Sequence, residues 1–262
     1  MSHILVFDSG IGGTSVLSHL KACLQGGSFS YVMDNAFLPY GLQPQELIKS
    51  RIKGLICWQQ QCLGNVDLIV IACNTASTYA LEEARKHTHI PIIGVVPAVK
   101  PAASSSKTKH IALLATPATS NNAYTHKLIM DFTSGCKVET LHSTELVRIA
   151  EHFYWHNELD KEALYAEIAR LNIPATVDRL VLGCTHFPLI AHDIKNCLQQ
   201  HVELVDSGKA IANRAVSLLG SQIVVREKVP SASEVRFYAT APVIGSKEAI
   251  SIIDLNKDQL SR

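Results

Sequence analysis

The sequence has no excess of charge of either sign and no long hydrophobic run. It contains 24 Lys and Arg residues against 23 Asp and Glu residues, which gives a formal net charge of +1. This balance argues against a broadly basic surface for nucleic acids or anionic membranes. Unbroken apolar stretches reach about six residues, as at Leu68–Cys73, whereas a membrane-spanning helix needs about 18. We therefore expect no nucleic-acid partner and no membrane association.

The cysteine and histidine spacings exclude several common sites. Seven cysteines cannot all pair within one chain, and no two have the C-x-x-C spacing of zinc ribbons and thioredoxin-type motifs. The twelve histidines include no H-E-x-x-H or similar metal-ligand pattern. The N-terminus lacks the basic and long apolar regions of a signal peptide. We therefore predict a cytoplasmic protein with reduced thiols and without a metal site.

Apolar residues make up 47% of the sequence and charged residues 18%, a composition that can form a large core. Short apolar runs without in–out alternation are typical of parallel strands that are covered on both faces. They alternate with helical patterns at 44–61, 77–87 and 161–171, which predicts an α/β fold with parallel sheets. The predicted strands are Ile4–Phe7, Tyr31–Met33, Leu68–Ala72, Ile92–Val96, Ile111–Ala115, Val138–Leu141, Leu180–Leu182 and Val202–Val205.

Two segments indicate domain boundaries. Residues 97–109 are rich in Pro, Ser and Ala, which is typical of a crossover or boundary, and a second boundary is expected near 206–208. Residues 68–77 (LIVIACNTAS) and 179–188 (RLVLGCTHFP) also share a pattern, with a cysteine between strand and helix. The two cysteines are 111 residues apart, about the length of a small α/β domain. Two such halves, packed about a pseudo-twofold axis, would place the cysteines on opposite walls of one cleft.

The two cysteine motifs carry the strongest chemical signal. Cys73 precedes a predicted helix, whose N-terminus lowers the pKa of a thiol. Cys184 is two residues before His186, close enough in a turn to assist proton transfer. Two facing thiols could remove a proton from one face of a stereocentre and deliver one to the other face. A single Cys–His pair could instead serve an amidohydrolase, and the cleft could also belong to a non-enzymatic amino-acid-binding protein.

Two loops and five further cysteines give weaker signals. The turn at 8–14 (DSGIGGT) could bring backbone amides to an anion, but it lacks the P-loop ending and the G-x-G-x-x-G spacing. A tight turn with a capping Asp or Ser is its alternative reading. The segment 39–41 (PYG) alone favours a plain turn. We interpret Cys23, Cys57, Cys62, Cys136 and Cys197 as structural.

Four motifs in this order resemble the aspartate/glutamate racemase family. They are DSGIGG at 8–13, PYG at 39–41, ACNTAS at 72–77 and GCTHFPL at 183–189, and the match covers most of the chain. Residues 186–188 and Ser77 are more similar to the glutamate-specific members than to the aspartate-specific ones. The resemblance implies cofactor-independent interconversion of L- and D-glutamate, which supplies D-glutamate for peptidoglycan. A racemase for aspartate or another amino acid is the nearer alternative.

The resemblance also implies roles for individual residues. Cys73 would take the proton from D-glutamate with help from Asp8, and Cys184 would take it from L-glutamate with help from His186. Glu151 would support His186. The implied substrate-binding residues are Ser9, Tyr40, Gly41, Asn74, Thr75 and Thr185, together with Thr116 and Thr119 beside Ala118, where the family more often has Gly.

The fold implied by the resemblance is two flavodoxin-like parallel-sheet domains, related by pseudo-twofold symmetry, with the active site in the interdomain cleft. The first domain would comprise residues 1–97 and 207–262, and the second residues 98–206. A homodimer is implied as well. The C-terminus from about Ala241 follows the family pattern poorly. The sequence shows no N-terminal extension like the one that accompanies activation by a cell-wall nucleotide precursor in some members, so we expect no such regulation.

Overall fold

The computed structural model describes residues 2–199, 201–220, 234–246 and 248–256. Strands and helices alternate along most of this length. The described strands are β1 (His3–Asp8), β2 (Ser28–Met33), β3 (Leu68–Ile71), β4 (Ile92–Gly94), β5 (His110–Ala115), β6 (Lys137–His142), β7 (Arg179–Leu182), β8 (Glu203–Val205), β9 (Val235–Ala239) and β10 (Ile250–Ile252). The described helices are α1 (Thr14–Cys23), α2 (Gln45–Cys62), α3 (Asn74–Arg85), α4 (Val99–Ser105), α5 (Pro117–Ser120), α6 (Ala123–Phe132), α7 (Glu145–His156), α8 (Lys161–Leu171), α9 (Ala191–Asn196) and α10 (Gly208–Leu219).

The strands form two parallel sheets, which define two α/β domains and confirm the predicted fold class. The first sheet has the order β10-β9-β2-β1-β3-β4, and the second has the order β6-β5-β7-β8. β3 (LIVI) is aliphatic along its whole length, and the other central strands are mainly apolar, because apolar side chains pack on both faces of the sheet. All eight strands expected from the apolar runs are present.

The two sheets repeat one strand order. The first four strands of each domain in chain order lie side by side in the order second, first, third, fourth. These are β2-β1-β3-β4 in the first sheet and β6-β5-β7-β8 in the second, as in flavodoxin-like doubly wound sheets. Cys73 comes just after β3, and Cys184 just after β7, so each follows the third strand of its sheet. The two similar sequence segments therefore occupy equivalent positions in the two domains. Ligands of such folds bind at the carboxyl ends of the strands, where both cysteines lie.

The segment at 97–109, which the sequence predicts as a crossover or boundary, forms α4 over Val99–Ser105. Val99, Ala102 and Ala103 are buried on one side of this helix against the second sheet, a spacing that suits an amphipathic helix. At the other boundary, α10 follows β8 and packs Ile211 and Ala212 into the core of the first domain. The chain thus returns to the first domain after β8, and the domain limits at 97/98 and 206/207 stay a prediction.

Two strands near the end of the chain have no counterpart in the sequence prediction. β9 pairs with β2 and β10 pairs with β9, and both are parallel. Their residues mix polar and apolar types and are mostly half-exposed, so the strand state depends on pairing with β2 rather than on a local pattern. The sequence from Ala241 onward is expected to depart from the family pattern. Part of this segment, residue 247 and residues 257–262, lies outside the described residues.

A buried carboxylate holds the start of the second domain. Asp178 accepts hydrogen bonds from Ser106 Oγ at 2.6 Å, Lys107 N at 2.6 Å and Thr108 N at 3.3 Å. Burial raises the pKa of Asp178, but these hydrogen bonds outweigh it and hold the pKa at about 2. The segment between α4 and β5 is thereby attached to β7. None of the described helices is long and apolar enough to cross a membrane.

Candidate active site

A small cavity lies where the carboxyl ends of the two sheets face each other. Cys73 caps the N-terminus of α3 on one wall, and Cys184 follows β7 on the other; 5% and 7% of their surfaces are exposed. The cavity has a volume of about 10 Å³, room for about one water molecule. An amino acid can enter only if the walls move apart. The cavity is lined by Ser9, Pro39, Tyr40, Gly41, Cys73, Asn74, Thr75, Thr116, Val147, Cys184, Thr185 and His186.

Asp8, fully buried at the end of β1, connects the two walls. Its Oδ2 accepts a hydrogen bond from Thr185 Oγ1 at 2.7 Å, and its Oδ1 accepts from Ser9 Oγ at 3.2 Å and Gly10 N at 3.0 Å. The Cys73 thiol in turn donates to Ser9 Oγ at 3.8 Å. The connection from Asp8 to Cys73 therefore runs through the Ser9 hydroxyl. Burial raises the pKa of Asp8, and the charge of His186 together with the hydrogen bonds from Thr185 and Gly10 offsets this only in part.

Cys184, His186 and Glu151 form a chain of hydrogen bonds on the other wall. His186 Nδ1 lies 3.7 Å from Cys184 Sγ, and His186 Nε2 lies 2.7 Å from Glu151 Oε1. Glu151 also accepts from Ile11 N at 2.8 Å and from Trp155 Nε1 at 2.9 Å. Burial lowers the pKa of His186, but the hydrogen bonds to Cys184 and Glu151 outweigh it and raise the pKa well above its ordinary value. Burial raises the pKa of Glu151, and its three donors outweigh that and lower it.

The glycine-rich turn makes room for this chain of side chains. A Cβ atom on Gly10 would collide with Glu151 Oε1, and one on Gly12 would collide with the His186 ring. The anion bound by this turn is therefore the Glu151 carboxylate, to which the Ile11 amide donates a hydrogen bond. The close approach of Glu151 and His186 is therefore the physical reason for Gly10 and Gly12. From the sequence alone, these glycines were equally compatible with binding of an external anion and with a plain turn.

Three threonines and Asn74 form the floor of the cavity between the walls. Thr75 Oγ1 lies 3.0 Å from both Thr116 Oγ1 and Thr119 Oγ1, and those two lie 3.2 Å apart. The cluster joins the start of α3 to the start of α5, although Thr119 lies behind the lining residues. Asn74 is 4% exposed, and its Nδ2 has no hydrogen-bond partner among the described residues. A buried donor of this kind is costly unless a ligand accepts from it.

The loop at 39–41 extends from the first domain over the cavity. It begins with a cis peptide bond between Leu38 and Pro39, and Tyr40 is 1% exposed. Gly41 lies so close to Thr116 that a Cβ atom would come within 2.5 Å of the Thr116 Cβ. The loop is therefore part of the cavity wall rather than a plain surface turn.

The pKa of Cys73 differs from the sequence expectation. A helix N-terminus was expected to lower it, and the Ala76 amide does donate to the sulfur at 3.5 Å. Burial, and then the nearby Asp8 carboxylate, outweigh this contribution and raise the pKa of Cys73. Helix position can be inferred from sequence, whereas removal of the thiol from water depends on how the domains close.

The structure brings together every residue that the sequence placed in the site, all within the two walls, the floor and their hydrogen-bond partners. Sequence reasoning missed Trp155 and the Ile11 amide. The available signal for Trp155 was its position four residues after Glu151, on the same helix face. The other five cysteines lie apart from the cavity lining and are exposed or half-buried. Among the described residues, no group of three or more His, Cys, Asp or Glu side chains could hold a metal ion.

Comparisons with known proteins give relatives over nearly the full length. A glutamate racemase from Shewanella baltica (strain OS185) is 43% identical over 249 residues, covering 92% of this chain and 90% of the relative. The crystal structure of Escherichia coli glutamate racemase, in complex with L-glutamate and the activator UDP-MurNAc-Ala, superimposes with a TM-score of 0.83 at 36% identity. That match covers 93% of this chain and 91% of the neighbour. The glutamate racemase isoform RacE1 from Bacillus anthracis has a TM-score of 0.81 at 26% identity, covering 97% and 98%.

The fold, the thiol-lined cavity and these relatives define the class: the protein is an amino-acid racemase, and thus an isomerase. A model of the family described as Asp/Glu/Hydantoin racemase matches residues 5–215. The chain belongs to that family.

Proposed function

We propose that this racemase interconverts L- and D-glutamate without a cofactor, by proton transfer between Cα and the two thiols. The observation that carries the proposal is the pair of buried thiols, Cys73 and Cys184, which follow equivalent strands of two domains and line one cavity. Cys73 is connected to Asp8 through the Ser9 hydroxyl, and Cys184 lies beside His186. The relatives' names, and the L-glutamate bound to the Escherichia coli protein, support glutamate as the substrate.

The proposed reaction is a direct inversion. The Cys184 thiolate takes the Cα proton of L-glutamate, and the electron pair of the C–H bond stays on Cα. The Cys73 thiol then gives its proton to the opposite face of Cα. The products are D-glutamate, a Cys184 thiol and a Cys73 thiolate, and D-glutamate reacts by the same steps with the roles of the two thiols exchanged. Asp8, through Ser9, and Glu151, through His186, would adjust the charge at each sulfur.

The closed structure favours one starting state for this cycle. Burial and the Asp8 carboxylate raise the pKa of Cys73, so this thiol is protonated. Cys184 lies beside His186, whose pKa is raised well above its ordinary value, so a cation faces the second sulfur. A protonated Cys73 is the proton donor that the reaction of L-glutamate requires in the scheme above.

We propose that uncharged donors hold the two carboxylates of the substrate and that hydroxyl oxygens accept from its ammonium group. The described residues that line the cavity include no Lys or Arg, so backbone amides, hydroxyls and the unpartnered Asn74 amide would bind the carboxylates. Carboxylates are bound in this way at helix N-termini elsewhere. The proposed binding residues are Ser9, Tyr40, Gly41, Asn74, Thr75 and Thr185, with Thr116 and Thr119 shaping the floor.

We propose that domain one comprises residues 1–97 and 207–262 and domain two comprises residues 98–206. We propose that the protein is a cytoplasmic homodimer and that its D-glutamate enters peptidoglycan. Size-exclusion chromatography with light scattering tests the dimer, and depletion of the protein in its host followed by rescue with D-glutamate tests the role in the cell wall.

Solvent isotope incorporation tests the reaction. Incubation with L-glutamate in deuterated water, with no added cofactor, should yield D-glutamate that carries deuterium at Cα. The variants Cys73→Ser and Cys184→Ser should each lose net racemisation, whereas the matched control Cys57→Ser, in α2 outside the cavity, should keep it. Full activity of either active-site variant, or the absence of D-glutamate from the native enzyme, would contradict the proposal.

Two alternatives give different results in the same assays. Greater turnover of L-aspartate than of L-glutamate would assign the enzyme to another amino-acid substrate. The chain of Cys184, His186 and Glu151 also has the arrangement of a Cys–His amidohydrolase. That alternative predicts a trapped acyl-enzyme on Cys184 and full activity after Cys73→Ser. Loss of activity in both serine variants separates racemisation from it.

A further inference from the structure

A buried cluster of polar side chains lies under the loop at 39–41. Asp34, which follows β2, is fully buried and accepts a hydrogen bond from Tyr40 OH at 2.5 Å. Arg51 of α2 binds the same carboxylate through two nitrogens, with Nε to Oδ2 at 2.8 Å and Nη2 to Oδ1 at 2.8 Å. Its side chain is 5% exposed. The pair therefore lies in a region from which bulk water is excluded.

The other partners of this ion pair come from the C-terminal segment at 234–256. Thr240 Oγ1 donates to Asp34 Oδ1 at 2.7 Å. Arg51 Nη1 donates to Asn256 Oδ1 at 2.9 Å. Thr240 N also donates to Asn35 Oδ1 at 3.0 Å, which fixes the backbone beside Asp34. Residues far apart in the chain thus meet on one carboxylate.

The four hydrogen bonds account for the full acceptor capacity of Asp34. A carboxylate has about four lone-pair positions, and Tyr40, Thr240 and the two nitrogens of Arg51 occupy them. Loss of one donor leaves a buried, charged acceptor unsatisfied, which costs free energy and favours rearrangement of the remaining donors. The position of the Tyr40 ring therefore depends on the donor that the C-terminal segment supplies.

We propose that Asp34 and Arg51, together with Thr240 and Asn256, are positioning residues that hold the loop carrying Tyr40 in its substrate-binding position. This inference rests on the proposed function. Tyr40 lines the cavity, and its hydroxyl donates a hydrogen bond to Asp34. The family model ends at residue 215, so the segment at 234–256 contributes to the site from outside the matched region.

A pair of variants at Thr240 tests the role of this donor. Thr240→Val keeps the shape of the side chain and removes the hydroxyl, whereas Thr240→Ser keeps the hydroxyl. We expect Thr240→Val to raise KM for glutamate about tenfold, as for loss of a hydrogen bond to a charged group. The value of kcat should change much less, because neither thiol nor its partners are touched. Thr240→Ser should restore KM to near that of the native enzyme.

Asn256→Ala is a second variant that does not affect a buried position, since Asn256 is exposed. It removes one acceptor of Arg51 and should raise KM by about threefold. Unchanged KM in both Thr240→Val and Asn256→Ala would overturn the proposal. So would an equal fall of kcat in Thr240→Val and Thr240→Ser, because that pattern indicates a general loss of structure.

Hydrogen exchange provides a measurement that does not depend on activity. The amides of Leu42 and Gln43 are hydrogen-bonded within the loop, to Pro39 O and Tyr40 O. In Thr240→Val these two amides should exchange faster than in the native protein and in Thr240→Ser. Faster exchange supports the positioning role even if the native protein fails to racemise glutamate, which would refute the proposed function alone. Equal exchange in all three proteins would refute the positioning role.

Discussion

Replacing Glu151 with glutamine removes the negative charge beside His186 and keeps the shape of the side chain. Glu151 Oε1 lies 2.7 Å from His186 Nε2, and the two side chains are 14% and 2% exposed, so solvent screens the pair little. A hydrogen bond to a charged group contributes about 1.5–3 kcal/mol. If that contribution stabilises the transition state through His186, Glu151→Gln should lower kcat/KM about 10- to 150-fold.

The assay follows both enantiomers across a range of pH. Because L- and D-glutamate have equal free energies in water, kcat/KM must fall by the same factor in both directions, although kcat and KM can change separately. The hydrogen bond to Glu151 helps to raise the pKa of His186, so losing the carboxylate charge lowers that pKa. Activity that needs a charged His186 is lost as pH rises through this pKa. The alkaline limb of the variant should therefore lie at lower pH.

Glu145→Gln is the matched control on the same helix. The Glu145 side chain is 41% exposed and pairs with Arg148 at the surface, and such ion pairs contribute little. Its kcat/KM and its pH profile should match those of the native enzyme. A Glu151→Gln variant with native kcat/KM and an unshifted alkaline limb would refute the view that Glu151 acts through His186.

Three other outcomes are expected. Asp178→Asn should lose about 2 kcal/mol of unfolding free energy at pH 7, since a pKa lowered from 3.8 to about 2 stabilises the fold above pH 3.8. The difference in unfolding free energy between the native protein and the variant should vanish as pH falls through about 2. Urea unfolding that gives the same difference at every pH would contradict this prediction. Cys73 should react with iodoacetamide more slowly than exposed Cys23 at pH 7, because burial raises its pKa; mass spectrometry that finds Cys73 labelled first would oppose this. Thr75→Val removes the hydrogen bonds of Thr75 Oγ1 to the Thr116 and Thr119 hydroxyls and should cost about 1 kcal/mol in thermal unfolding, whereas an unchanged Tm would count against the role of the threonine cluster.

The sequence predicted those features that depend on local pattern. Continuous aliphatic runs such as Leu68–Ile71 predicted buried parallel strands because the residues themselves exclude water from both faces. The similar segments around Cys73 and Cys184 predicted equivalent positions in two halves. The start of α3 was placed three residues late, at Ser77 rather than Asn74, since Asn and Thr are weak helix formers inside a helix but suit its first turn.

The features that escaped prediction depend on contacts between distant residues. Ile11 and Glu151 are 140 positions apart, and their hydrogen bond exists only because the domains close. Thr240 reaches Asp34 only because β9 pairs with β2, and no local pattern predicts β9. The raised pKa of Cys73 has the same origin, since it follows from burial between two walls.

The hydrogen bonds that cross between the domains have a thermodynamic consequence for affinity. Asp8 to Thr185 and Ile11 to Glu151 are such bonds, and each also supports one of the proposed bases. Moving the walls apart to admit an amino acid breaks them, so the open form holds neither base in its working state. Part of the free energy of substrate contact is then spent on restoring these bonds. The measured KM will therefore understate how tightly the closed enzyme holds glutamate, by the factor that describes the equilibrium between open and closed forms.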